Sequence, residues 1–254
     1  MSLEYAPRGL IGMLTPQANT TVEPEFNLLW PEGFAMINAR LMSDGKSLSA
    51  RLIDYFDQYD ASLRQFANAP IGVAAAACTG ASYLAGRVKE AALVADIEAR
   101  HGYPFVTAAL AVVDALHALD ARRIGLVSPY PDDLNAASIA YWRTHGFEVG
   151  DVARTLNDDS TFHPIYSLSG SSAGRALQEL EQKPLDAIVM LGTGMPTLRP
   201  IAASIGWRGA PVMSCNLCLA WRAVTVLDKT APSADTLAPW LKGDPWVARL
   251  SVRQ

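Results

Sequence analysis

Cys78 closes an apolar run, Ile71 to Ala77, and is followed directly by Thr79, Gly80, Ala81 and Ser82. An apolar run of that length bounded by a Thr-Gly step reads as a buried strand turning into a helix. A thiol at that junction emerges where the strand ends and the free N–H groups of the next helix begin. Such groups favour a thiolate, taking a thiol from about 8.5 toward roughly 3.5–7.5 at favourable sites, and they also hold carboxylate oxygens. An inert core cysteine is the competing reading, and the strand-end position argues against it.

The other thiols are Cys215 and Cys218, spaced as in a redox or zinc half-site, but no second such pair exists. The histidines, His101, His117, His145 and His163, have no ligand spacing, so no metal site is expected. Cys218 falls on the apolar stripe of a helix and reads as core, whereas Cys215 sits beside a strand end where it could line a cleft from a lesser position. The stretch from Thr15 through Pro16, Gln17, Ala18 and Asn19 to Thr20 and Thr21 brings two amides and three hydroxyls without charge, with Glu23 and Glu25 just beyond in a new helix. It suits carboxylate oxygens, but helix capping by Thr20 or Thr21 fits it equally. Tyr130, after Ser128 and Pro129, brings a phenol from a matching loop. Ser167 to Gly174 reads as a loop leading into a helix. Gly170 to Gly174 spells G-x-S-x-G but follows no convincing strand, so it makes no nucleophile elbow; GxGxxG, P-loop and HExxH patterns are missing, and the expected chemistry uses no cofactor.

Positioning these residues requires an α/β fold. Candidate strands are Gly9 to Thr15, Phe34 to Arg40, Ile71 to Ala77, Pro104 to Thr107, Arg123 to Ser128, Glu148 to Ala153, Ala187 to Leu191 and Pro211 to Ser214. Helical spacing marks Leu48 to Ala67, Tyr83 to Ala99, Ala109 to Leu119 and Leu134 to His145. The halves echo each other: Thr15-Pro16 by Ser128-Pro129, Cys78-Thr79-Gly80 by Gly192-Thr193-Gly194, and Pro104 by Pro211, at offsets of 113, 114 and 107. An internal duplication explains this, with residues 1–110 and 111–224 as two parallel-sheet halves and 225–254 packing back on the first. Both copies would point strand ends at a shared cleft, where parallel sheets bind ligands.

Composition narrows the function. The chain has 254 residues, half of them apolar, with 21 basic against 25 acidic side chains and no basic run, so nucleic acid is not an expected partner. No apolar stretch is long enough to cross a bilayer, no export signal is apparent, and three cysteines do not make a disulfide framework; a cytoplasmic protein without a membrane partner is expected. Apolar edges near Trp207 and Trp221 are candidates for a homo-oligomer interface, whose symmetry nothing in the sequence fixes.

At these residues the chain resembles the aspartate/glutamate racemase superfamily, and within it the branch of maleate cis-trans isomerases and arylmalonate decarboxylases. The segments that carry the resemblance are Pro16-x-x-Asn19-Thr20-Thr21-x-Glu23, Cys78-Thr79-Gly80, Ser128-Pro129-Tyr130 through Asn135, and Pro211 to Ser214. It implies two pseudo-symmetric flavodoxin-like halves clasping a small carboxylate or dicarboxylate. Cys78 is then the catalytic thiol, and Pro16, Asn19, Thr79, Gly80, Tyr130, Gly192, Thr193 and Gly194 bind the substrate. The position that carries a second cysteine in racemases and maleate isomerases is Gly192 here, which argues against a two-thiol racemase and suggests a pocket widened for a substituent. Arylmalonate decarboxylases have the opposite arrangement, a glycine first and the thiol second. The resemblance implies a maleate isomerase-like enzyme with Cys78 as nucleophile; the alternatives are a decarboxylase or racemase in which Cys78 protonates an enediolate. A non-catalytic carboxylate-binding protein, or a thiol hydrolase partnered by His163, fits less well.

Overall fold

The computed structural model describes residues 3–155 and 164–251. Two four-stranded parallel sheets form its frame. The first contains β1 (Gly9–Pro16), β2 (Phe34–Leu41), β3 (Val73–Ala76) and β4 (Phe105–Thr107), and the second β5 (Arg123–Ser128), β6 (Glu148–Arg154), β7 (Ala187–Met190) and β8 (Val212–Ser214). Strand order is 2-1-3-4 in one and 6-5-7-8 in the other, the same order twice. All eight expected strands are present, shifted at their ends by two residues at most.

Helices flank both sheets. The first half supplies α1 (Val22–Leu29), α2 (Leu48–Asp57), α3 (Tyr59–Leu63), α4 (Thr79–Ala85), α5 (Arg87–His101) and α6 (Ala108–Ala118). The second supplies α7 (Asp132–Thr144), α8 (Gly170–Gln178), α9 (Leu198–Ser204) and α10 (Cys215–Leu227), followed by α11 (Ala234–Leu241) and α12 (Val247–Ser251). The helix expected over Leu48 to Ala67 is divided at Gln58, and the one expected from Tyr83 begins at Thr79 and is divided at Gly86, whose φ of +78° no helix sustains. The Ser167 to Gly174 stretch turns helical at Gly170, where the Ser169 side chain accepts the Ser172 N–H.

Central strands are apolar because helices cover both faces. β3 is Val-Ala-Ala-Ala and wholly buried, and its small side chains let α10 lie close across it. This crossing links the halves: α10 leaves the second sheet and packs against β3, β4 and α6 of the first. α6 and α10 occupy equivalent places, each entered through a hydroxyl cap, Thr107 accepting Leu110 N–H at 3.1 Å and Ser214 accepting Leu217 N–H at 3.2 Å. The C-terminal segment follows, α11 against α10 and α6, α12 against α1 and α9. Arg8 pairs with Asp228 at 2.9 Å and Arg249 Nε donates to the Leu28 carbonyl at 2.8 Å.

The expected apolar edge at Trp221 is not an edge. Trp221 is fully buried, its indole N–H donating to Thr236 Oγ1, while Trp207 is half-buried. Trp221 belongs to the core because α10 runs between the sheets rather than over the outside. Among the described residues no helix is long and apolar enough to cross a membrane.

Candidate active site

The strand ends of the two sheets meet at one narrow cavity, with Cys78 on its wall. Pro16 and Asn19 reach it from the loop after β1, Thr79 and Gly80 from the first turn of α4, Tyr130 from the loop after β5, and Gly192, Thr193 and Gly194 from the loop after β7. The structure thus brings together all nine residues singled out in the sequence. It adds Leu48, Leu52 and Tyr55 from α2, Leu134 from α7, and Ile165 and Tyr166 from a short turn. These six make an apolar cover over a polar floor, and among the described residues no charged side chain lines the cavity. The free space is about 30 Å³, room for one or two waters, each needing roughly 10–15 Å³. His163, weighed above as a hydrolase partner, lies outside the described residues.

Cys78 is the residue that caps α4, with extended backbone angles. Burial pushes its thiol up to about 11, against smaller downward pulls from the Ala81 amide and the Tyr59 hydroxyl. The expected thiolate is therefore corrected: desolvation outweighs the helix terminus and favours the neutral thiol. Tyr55, Leu52 and Tyr166, which line the cavity beside the 4% exposed Cys78, come from other elements.

The loop after β1 binds the opposite half rather than merely capping α1. Asn19 Oδ1 accepts the Thr21 and Val22 N–H groups at 2.9 and 3.1 Å, and its Nδ2 donates to Thr193 Oγ1 at 3.2 Å. Thr21 stands at the cap position but closes no cap bond; its hydroxyl donates to the Gly194 carbonyl at 2.7 Å. Thr193 Oγ1 in turn donates to the Ala77 carbonyl at 2.7 Å, one residue before Cys78. Thr79 and Tyr130 pair their hydroxyls at 2.8 Å across the halves. Burial, with Cys215 nearby, holds the Tyr130 phenol well above its ordinary value, so it is a hydrogen-bond donor at neutral pH.

Two expectations fail here. Cys215 does not line the cavity: it is fully buried, donates toward the Met190 carbonyl at 3.6 Å, and is pushed by burial up to about 12. Nor does Gly192 widen the pocket. A Cβ there would stand 2.8 Å from Ile165 Cδ1, 3.1 Å from Pro129 Cγ and 3.2 Å from Tyr130 Oη, and Gly192 has φ +84°. The backbone favours glycine, and the space beside it is filled. Cys218 is core as expected, and among the described residues no group of His, Cys, Asp and Glu is arranged for a metal.

Comparison with known proteins agrees with this geometry. The family described as arylmalonate decarboxylase matches residues 11–238. A maleate isomerase of Pseudomonas putida is 28% identical over 238 residues, covering 86% of this chain and 91% of that protein. A cysteine-to-serine variant of the Nocardia farcinica maleate cis-trans isomerase, solved with a covalently bound succinylcysteine intermediate, is 25% identical with a TM-score of 0.78, covering 90% of this chain and 98% of the other. An arylmalonate decarboxylase structure shares the fold at 22% identity and a TM-score of 0.71, covering 86% and 92%.

Proposed function

Since the chain belongs to the arylmalonate decarboxylase family, we propose that it is a cofactor-independent isomerase that converts a small dicarboxylate such as maleate to its trans isomer, with Cys78 as nucleophile. The observation that carries this reading is the placing of Cys78 as the cavity's one thiol, facing hydroxyl and amide groups from both halves. The succinylcysteine of the Nocardia enzyme supports it, because such an adduct forms when a cysteine adds to the maleate double bond.

With a neutral thiol, the fitting step is addition of S–H across the double bond. The S–C2 and C3–H bonds form as the S–H and π bonds break, and no separate base is needed. Negative charge that gathers on the adjoining carboxylate is met by the Thr79 and Tyr130 hydroxyls, Asn19, and the amides around Gly80, Thr193 and Gly194. Fixed donors of this kind are worth about 3–4 kcal/mol apiece when one is removed from a comparable site. Pro16 and Gly192 shape the floor between them. C3 then holds two hydrogens. Turning about the C2–C3 bond brings its original hydrogen beside the sulfur, and loss of that hydrogen with the thiol gives fumarate that keeps the hydrogen delivered from Cys78.

The neutral thiol also favours a second reading, in which Cys78 protonates an enediolate left when a disubstituted malonate loses CO2. Following maleate and a disubstituted malonate separately by proton NMR decides between them. Fumarate from maleate supports the isomerase; CO2 loss from the malonate with maleate untouched replaces it by the decarboxylase.

A further inference from the structure

Glu25 lies in the first turn of α1, where a carboxylate normally faces water and the helix N-terminus. Here it is buried, only 6% exposed, and points into the other half of the molecule. One carboxylate oxygen accepts the Thr197 N–H at 2.5 Å and the Leu198 N–H at 3.1 Å, and the Thr197 hydroxyl lies 3.2 Å from both oxygens. The other oxygen accepts Asn216 Nδ2 at 2.8 Å. The same Nδ2 donates to the Thr193 carbonyl at 3.1 Å. Asn216 is itself buried, and its Oδ1 has no hydrogen-bond partner among the described residues. An amide that leaves its acceptor unsatisfied and uses its donor twice is held for what the donor does.

A continuous path follows. Glu25 grips Thr197, Leu198 and Asn216; Asn216 grips the Thr193 carbonyl; the Thr193 hydroxyl grips the Ala77 carbonyl, one residue before Cys78. The loop from Gly192 to Thr197 is thereby tied at both ends to the first half by hydrogen bonds, one of them beside the thiol. Burying a carboxylate is costly unless donors surround it, and a latch between halves could be made of apolar side chains at less cost. A latch made of several directional hydrogen bonds holds the loop to one geometry, because each bond tolerates little displacement.

We propose that Glu25, acting through Asn216, is a positioning residue that sets the Thr193–Gly194 loop against Cys78 for substrate carboxylate binding. The proposal rests on the isomerase reading for its substrate, so one of its tests does not use turnover. In Glu25→Gln the side chain keeps its size but turns an N–H group toward Thr197 or Asn216, both donors. Amide hydrogen exchange measured by mass spectrometry should then speed up in peptides covering 192–197 and stay unchanged over β3. The KM for maleate should rise about tenfold with kcat within about threefold, the pattern of lost uniform binding, and iodoacetamide should label Cys78 at the wild-type rate. Should Glu25→Gln fail to fold, Asn216→Ala removes the Nδ2 bonds to Glu25 and to the Thr193 carbonyl while leaving Glu25 its Thr197 and Leu198 amides, and should give the same shift in KM. Unchanged exchange over 192–197 overturns the positioning role whatever the substrate is, and faster exchange with an unchanged KM reduces Glu25 to a latch. Wild-type protein without maleate turnover would sink the isomerase reading alone, leaving the exchange result to judge Glu25.

Discussion

Replacing Gly192 tests whether backbone geometry or chemistry placed a glycine at the end of β7. With φ +84°, an alanine there pays left-handed strain of about 1–2 kcal/mol. Its Cβ also meets Ile165 Cδ1 at 2.8 Å, which can rotate away, and Pro129 Cγ at 3.1 Å, which cannot. A total near 2 kcal/mol should lower the Tm of a chain this size by about 4–8 °C. Gly192→Cys should cost at least as much, because its sulfur must find room among Ile165, Pro129 and Tyr130. It should also slow turnover, since the side chain presses on the Tyr130 hydroxyl that pairs with Thr79. Scanning calorimetry of wild type, Gly192→Ala and Gly192→Cys, with maleate turnover beside it, provides the assay. A Tm unchanged in Gly192→Ala, or a Gly192→Cys enzyme faster than wild type, would refute the argument that the backbone favours glycine.

Three further outcomes are expected. The iodoacetamide reaction of Cys78 should still quicken about tenfold per pH unit between pH 7 and 9, as a thiol at about 11 requires; a plateau near neutrality would mean a preformed thiolate. Thr79→Val keeps the shape but strands the buried Tyr130 hydroxyl, and should cost about 1–3 kcal/mol in denaturant unfolding. His145 has its pKa lowered to about 4 by burial, then by Arg87 and His117, so between its unfolded value near 6.5 and about 4 the unfolded chain binds the extra proton. Stability should therefore fall as pH drops through that window, and His145→Gln should flatten the fall.

Much of the scaffold is legible in sequence because buried parallel strands are apolar runs bounded by Gly and Pro, and because the two halves repeat. The polar floor is legible too, since ligands gather at the C-terminal ends of such strands. The cover is not. Leu48, Leu52 and Tyr55 fall at helical spacing on α2, and an apolar stripe reads the same whether it faces core or ligand. The thiol's pKa follows from its burial, which is hidden in the same way. Glu25 reads as an ordinary first-turn carboxylate because its partners, Thr197 and Asn216, lie 172 and 191 residues away. Gly192 reads as an open position because sequence carries neither its φ nor the side chains of Ile165 and Pro129 beside it.

The most direct test is a proton NMR time course with maleate in D2O, run on the wild type and on Cys78→Ala. The account predicts fumarate from the wild type only, carrying one deuterium delivered from the exchanged thiol. Fumarate without deuterium would contradict addition by a neutral thiol, and fumarate from Cys78→Ala, or none from the wild type, would contradict the central claim that Cys78 isomerises a small dicarboxylate.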